Sequence, residues 1–183
     1  MLADPAHRDY YKEDEIKLMS ANLGFAVKFV TITTSLVETD YCSRYYWPTD
    51  NHKLGYVLAP KIGKVLNKIG FSKIPVHKVY EHNAGIVASL EKDVSNVPFL
   101  NEWCGHLKRI TSGYKPIKQP YKHTIKSKRY HSYTDETWDL LYARYELTEL
   151  DILAFEESLS TVHSLPYFVD FPGGMDPLME MDY

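Results

Sequence analysis

The chain has 183 residues with 44% hydrophobic content, enough for one core, and no stretch approaches the roughly 20 consecutive apolar residues of a membrane-spanning helix. Its two cysteines, Cys42 and Cys104, exclude a disulfide framework and indicate a reducing compartment. Residues 1–132 carry 20 Lys and Arg against 12 Asp and Glu, whereas residues 133–183 carry one basic residue against 12 acids, so the first part suits a polyanion, although an ordinary dipolar surface accounts for the same numbers.

The first predicted element is a helix that Asp9 caps and Gly24 ends in a left-handed conformation. Its apolar face carries Ile16, Met19 and Leu23. The sequence FAVKFVTIT, residues 25–33, then predicts a strand because it is rich in β-branched and aromatic side chains.

A β-hairpin is predicted next, with strands at residues 38–46 and 54–59 around the turn-forming sequence WPTDNHK. The amphipathic helix PKIGKVLNKIG, residues 60–70, follows it directly. We expect its apolar face to carry Ile62, Val65, Leu66 and Ile69, and its opposite face to carry Lys61, Lys64 and Lys68.

The remainder predicts a mainly helical region, with candidate capping residues at Asn96, Thr134 and Thr148. Thr148 and Asp151 have the spacing of a capping box, with Asp in place of the usual Glu or Gln. Helices are expected near residues 77–93, 97–111, 135–147 and 149–163. Together with the hairpin, they predict an α+β fold: a small antiparallel sheet followed by helices.

Residues 113–131 form a basic segment with no acid and two prolines, which predicts a loop or extended arm. Tyrosines interleave with its cations, and that combination suits single-stranded nucleic acid, because cations neutralise phosphates while rings stack on bases. A surface loop kept soluble by lysine explains the same composition. Its cations are Lys115, Lys118, Lys122, Lys126, Lys128 and Arg129.

No self-sufficient catalytic site follows from the sequence. Cys42 with His52, and Cys104 with His106, are isolated pairs, whereas a structural zinc site needs four ligands. The sequence GKVLNK lacks the leading glycine and the Lys-Ser/Thr end of a phosphate-binding loop, and no Gly-x-Ser-x-Gly motif occurs.

Three consecutive segments resemble the end of the palm and the start of the thumb of RNA-directed RNA polymerases from positive-strand RNA viruses. The sequence YYKEDEIKLMSANLGFAVKFV, residues 10–30, resembles a helix–turn–strand motif that places a lysine where this chain has Lys28. The sequence YCSR, Tyr41–Arg44, resembles the first strand of the hairpin called the primer grip, which often reads Phe-Cys-Ser followed by a basic residue. The sequence LAPKIGKVLNKIGF, residues 58–71, resembles the proline-lysine helix that enters the thumb.

The resemblance implies a role for each of these segments. Lys28 would donate a proton to the departing pyrophosphate during nucleotidyl transfer, although a strand-surface lysine explains the same position. Arg44 and Ser43 would hold phosphate of the growing strand while Cys42 packs beneath them. The expected RNA contacts are Tyr41, Cys42, Ser43, Arg44, Lys61, Lys64, Lys68, Lys122, Lys126, Lys128 and Arg129.

The resemblance also implies what this chain lacks. The family binds two Mg²⁺ (or Mn²⁺) ions through aspartates, but no Asp-Asp pair occurs here, so we expect no metal site in this chain and no polymerisation by this chain alone. Residues 1–59 would be the end of the palm, and residues 60–183 a helical thumb that contains the basic segment and the acidic end. The implied partners are RNA template and product, nucleoside triphosphates and the missing palm and fingers, in the host cytoplasm.

Two interpretations from other functional classes stay open. The chain would be a stand-alone RNA-binding protein if the basic segment, residues 113–131, is its contact surface. It would be a structural interaction module if its surface tyrosines, among 15 in the chain, dock another protein.

Overall fold

The structure, a computed structural model, combines an antiparallel β-hairpin with helices and confirms the predicted α+β class. It divides into two compact units, Met1–Thr39 and Asp40–Tyr183. That boundary precedes the hairpin, whereas the predicted palm–thumb boundary at residues 59 and 60 follows it; the functional division stays a prediction. The residues that the structure describes are 12–27, 33, 35–50, 53, 55–69, 74–117, 132–165 and 176–182.

The first unit contains helix α1, Glu13–Asn22, and a short 3₁₀ turn at Leu36–Glu38. Lys12 occupies the cap position of α1 and makes no side-chain capping bond, so the prediction of a cap at Asp9 is wrong. Gly24 has a φ of 83°, which confirms the predicted left-handed stop, because only glycine adopts this conformation without a steric cost. Most of the strand predicted at 25–33 lies outside the described residues.

The hairpin opens the second unit and consists of strands β1, Arg44–Pro48, and β2, Tyr56–Pro60. They pair antiparallel, with Arg44 opposite Pro60 and Pro48 opposite Tyr56, which confirms the predicted hairpin. The first strand begins later than predicted and includes Trp47 and Pro48, which the sequence assigned to the turn. Trp47 is fully buried, and the burial of its ring favours the extended backbone that lengthens β1.

Six helices follow in the described part of this unit, and all four helices predicted between residues 77 and 163 are confirmed. A short 3₁₀ turn at Val76–Lys78 precedes the second of the six. The helices are α2, Ile62–Ile69; α3, Val79–Leu90; α4, Pro98–Ile110; α5, Asp135–Tyr145; α6, Glu149–Ser160; and α7, Asp176–Glu180. No helix in the described ranges has both the length and the apolarity needed to cross a bilayer.

Threonine caps begin α5 and α6 as predicted. Thr134 accepts from the Thr137 N–H, and Thr148 accepts from the Asp151 N–H, each at 3.3 Å and each within a reciprocal capping box. The prediction of a cap at Asn96 is wrong, because α4 starts one residue later with Val97 at the cap position and proline in its first turn.

The main apolar core lies where α4 packs against α3 and α6. The rings of Phe99 and Phe155 stack with their centroids 4.4 Å apart and their planes inclined by 10°. Apolar residues at the start of α4, on α4 and on α6 are also buried: Val97, Leu100, Leu107 and Leu159. Because both aromatic rings are almost fully removed from water, they supply much of the hydrophobic stabilisation of these helices.

Candidate functional site

The Tyr41–Arg44 segment forms a tight turn at the start of β1. The Tyr41 N–H donates to the Arg44 carbonyl at 2.9 Å, and the Arg44 N–H donates back to the Tyr41 carbonyl at 3.0 Å. Cys42 and Ser43 both have positive φ, 51° and 63°, which is the signature of a type I′ turn. The prediction that Cys42 and Ser43 lie on a strand is therefore wrong.

This turn presents its side chains to solvent. Tyr41 is 59% exposed, and Cys42 and Ser43 are also exposed. The prediction that Cys42 packs beneath its neighbours is wrong, because the reversal of the chain points this part of the backbone outward. The turn offers a phenol, a thiol and a hydroxyl that a ligand can reach.

Arg44 lies half-buried at the base of this turn. Its guanidinium donates to the Leu58 carbonyl across the hairpin and to the Asp93 carboxylate, both at 3.3 Å. Burial lowers the pKa of Arg44 from its ordinary value, but a guanidinium stays protonated at neutral pH. Arg44 is therefore held in place by two contacts, one of which pairs its charge with Asp93.

Lys61 lies at the junction between β2 and α2, and only 8% of the residue is exposed. Its ammonium donates to the Asp40 carboxylate at 2.6 Å and lies 4.4 Å from the centre of the Tyr45 ring. Burial alone would lower the pKa of Lys61, but the hydrogen bonds to Asp40 and Tyr45 and the charge of Asp40 raise it. The prediction that Lys61 shares one face of α2 with Lys64 and Lys68 is wrong, because α2 begins one residue later and the Lys61 ammonium lies against Asp40 and the Tyr45 ring.

The other expected cations of α2 are Lys64 and Lys68. Lys64 is half-buried on the helix, one residue before buried Val65. Lys68 belongs to the helix backbone, but its side chain lies outside the described residues. Their roles as RNA contacts stay predictions.

The basic segment is anchored at its start on α3. The rings of Tyr80 and Tyr114 stack at 4.6 Å, and the Ile117 N–H donates to the Glu81 carbonyl at 3.0 Å. The Ile117 carbonyl comes so close to Gly85 that a Cβ atom there would lie 2.6 Å from its oxygen. This close approach requires glycine at position 85 and fixes where the segment leaves the helices. Lys118, Lys122, Lys126, Lys128 and Arg129 lie outside the described residues.

Sequence reasoning missed a polar network beside Lys61, formed by Tyr45, Arg144, Tyr145 and Asp182. The Arg144 guanidinium lies 3.6 Å from the centre of the Tyr45 ring, and the Tyr45 hydroxyl donates to Asp182 at 3.3 Å. Tyr145 donates to the same carboxylate at 3.0 Å. The alternation of buried residues along β1 places Tyr45 inward, but no signal in the sequence pairs it with a carboxylate 137 residues away.

Lys28, the expected proton donor, lies outside the described residues. Among the described residues, no group of three or more His, Cys, Asp or Glu side chains is arranged to hold a metal ion. The expectation that a missing palm supplies the ligands of the Mg²⁺ (or Mn²⁺) pair stays a prediction.

Comparison with known proteins adds no family assignment. No family model, no curated protein and no solved structure matches this chain. The function therefore has to be argued from the hairpin, the helices and the charges just described.

Proposed function

We propose that this chain is the carboxyl-terminal palm and thumb portion of a viral RNA-directed RNA polymerase, in which it grips primer or product RNA. The observation that carries the proposal is the hairpin. Its five residue pairs are in continuous register, and β2 leads through Lys61 directly into α2, in the order that the primer grip and the thumb helix have in that family. A strand pair followed by a helix supports the order of elements in the resemblance, whereas Cys42 and Ser43 precede β1 instead of lying on it.

The side chains of the turn at Tyr41–Arg44 suit contact with the sugar-phosphate backbone of a nucleic acid. The exposed Tyr41 and Ser43 hydroxyls can donate to phosphate or sugar oxygens, and beside them Arg44 would contact phosphate in competition with its ion pair to Asp93. Contacts of this type hold a strand without regard to its sequence, which is what a polymerase requires of the growing end. The roles of Lys64 and Lys68 along the product strand belong to the same proposal, whereas Lys61 is only 8% exposed and is bound to Asp40.

The proposal is tested in the complete polymerase by substituting Lys28. If Lys28 donates a proton to pyrophosphate, Lys28→Ala slows nucleotide addition by about 10²-fold while RNA binding stays intact. Lys28→Arg fails to restore the rate, because arginine does not release its proton. Lys17→Ala is the matched control: Lys17 pairs with Glu13 on α1, so its loss should leave the rate unchanged. Single-turnover nucleotide addition measures the rate for each of these three variants.

Three outcomes would count against the proposal, the first against Lys28 alone and the other two against the polymerase assignment. Equal rates for wild type and Lys28→Ala would remove Lys28 from the mechanism. Nucleotides upstream of codon 1 that contain no in-frame Gly-Asp-Asp motif, together with steeply salt-dependent RNA binding that disappears when residues 113–131 are deleted, would favour the stand-alone RNA-binding protein. No RNA binding at any salt concentration would favour the interaction module.

A further inference from the structure

The carboxylate of Asp182, near the end of the chain, lies at the amino-terminal end of α2. It accepts from the Gly63 N–H at 2.7 Å, from the Tyr145 hydroxyl at 3.0 Å and from the Tyr45 hydroxyl at 3.3 Å. Only 5% of Asp182 is exposed. Three donors from β1, α2 and α5 therefore converge on one side chain of the last described segment.

Helix α2 depends on this carboxylate because no local residue caps it. The first N–H groups of any helix lack partners within the helix, and Lys61, the residue before α2, has no side-chain acceptor. Gly63 uses Asp182 directly, while Ile62 donates to the Tyr145 hydroxyl at 3.2 Å, which in turn donates to Asp182. The negative charge of Asp182 also interacts favourably with the positive, amino-terminal end of the α2 dipole.

The same carboxylate reaches Lys61 through one aromatic ring. Asp182 accepts a hydrogen bond from the Tyr45 hydroxyl, and the Tyr45 ring covers the Lys61 ammonium. That ammonium also donates a hydrogen bond to the Asp40 carboxylate. The Tyr45 ring lies between the Lys61 ammonium and the Arg144 guanidinium, and its hydroxyl bond to Asp182 is one of the contacts that keep it over Lys61. The position of Asp182 is thus coupled to the accessibility of Lys61.

The segment that carries Asp182 is short, and one of the apolar side chains that the structure describes in it is buried. Residues 176–182 include α7, which packs against α2, and Leu178 is buried. Pro177, Glu180 and Met181 are exposed. Opening a segment this short would expose less buried surface than opening a core helix such as α4, so it would require less free energy.

We propose that residues 176–182 form an anionic latch, which binds intramolecularly at the β2–α2 junction and keeps Lys61 covered. With the latch closed, Asp182 caps α2 and fixes Tyr45; with the latch open, the first turn of α2 loosens and Lys61 becomes available. The consequence that an open latch increases contact with RNA rests on the proposed polymerase function, whereas the latch itself does not.

Amide hydrogen exchange and lysine labelling of the full-length chain test the latch. Asp182→Ala should accelerate exchange at the Gly63 amide about tenfold, because its acceptor is lost, and should raise acylation of Lys61 by a similar factor. Exchange at α4 amides such as Leu107 should stay within about twofold of wild type. Glu180→Ala is the matched control, since it removes an exposed acid from the same segment.

Asp182→Asn separates the charge of the latch from its shape. Asparagine keeps one acceptor oxygen for the Gly63 N–H, so we expect acceleration intermediate between wild type and Asp182→Ala. Unchanged exchange at Gly63 in Asp182→Ala would overturn the latch. So would equal acceleration at Gly63 and Leu107, since it would show that Asp182 stabilises the whole fold. An open latch without a change in RNA affinity would leave the latch standing and count against the proposed RNA grip.

Discussion

In the unit Asp40–Tyr183, the helical core around α4 and the β2–α2 junction are stabilised by different forces. In the core, Phe99 and Phe155 stack among buried aliphatic side chains, and the hydrophobic effect that holds them is not directional. At the junction, a carboxylate, two tyrosine hydroxyls and the first N–H groups of α2 satisfy one another through hydrogen bonds.

The difference separates stability from positioning. Apolar burial supplies large free energies but tolerates small displacements, whereas each hydrogen bond contributes about 0.5–1.5 kcal/mol net and fixes a direction. The core therefore sets whether this unit folds, and the junction sets where Lys61 and the turn at Tyr41–Arg44 lie. A substitution in each region measures the contrast.

The largest effect is expected in the core, for Phe155→Ala. Removal of this buried ring leaves a cavity against Phe99, so the free energy of unfolding should fall by about 3–5 kcal/mol. Denaturant titration measures the loss. Leu153→Ala on the same helix is the control, because Leu153 is 52% exposed and its truncation should change stability by less than about 0.5 kcal/mol. A loss at Phe155 no larger than at Leu153 would show that the stack does not support the core.

A smaller loss is expected at the junction, for Tyr145→Phe. Burial, and then the charge of Asp182, raise the pKa of Tyr145, so its hydroxyl keeps its proton and donates to the carboxylate. Removing that hydroxyl leaves the Ile62 N–H without its acceptor, which should cost about 1–3 kcal/mol in denaturant titration.

The matched control for the junction is Tyr142→Phe on the same helix. Tyr142 is exposed, so losing its hydroxyl should change the free energy of unfolding by less than about 0.5 kcal/mol. If Tyr145→Phe costs more than Phe155→Ala, the contrast between a stabilising core and a positioning junction is reversed.

The sequence predicts the helical core better than the junction, for a physical reason. Helices α3–α6 are encoded locally, because their apolar residues recur at helical spacing and Thr134 and Thr148 mark two of their starts. The hairpin is likewise predictable from two β-rich segments around a turn. Only its bounds shift, since Trp47 packs into the interior.

The junction depends on partners that are distant in sequence. Asp182 is 119 residues from Gly63, and the final segment carries no periodic signal, so nothing local identifies Asp182 as a cap for α2. The type I′ turn is hidden because Cys42 and Ser43 replace the Asn-Gly pair that usually marks it. Helical spacing predicts the wrong face for Lys61, because it cannot show that α2 starts after this residue.

The smallest expected effect is a pH dependence of the free energy of unfolding that arises in the core. It depends on His106, which is buried on α4. Burial, and then the nearby charges of Arg109 and His163, lower the pKa of His106 to about 4. The unfolded chain keeps the ordinary histidine pKa of about 6.5, so between these values the unfolded state binds more protons than the folded state. This contribution to stability is complete above pH 6.5 and is lost progressively as the pH falls towards 4.

We therefore expect His106 to make the free energy of unfolding fall by on the order of 1 kcal/mol between pH 6.5 and 5. Denaturant titrations at several pH values measure the slope, and carboxylates contribute to it equally in every variant. His106→Gln should reduce the slope. Equal slopes in wild type and His106→Gln would mean that His106 gains its proton in the folded state as easily as in the unfolded chain, and that the core around α4 is open to water.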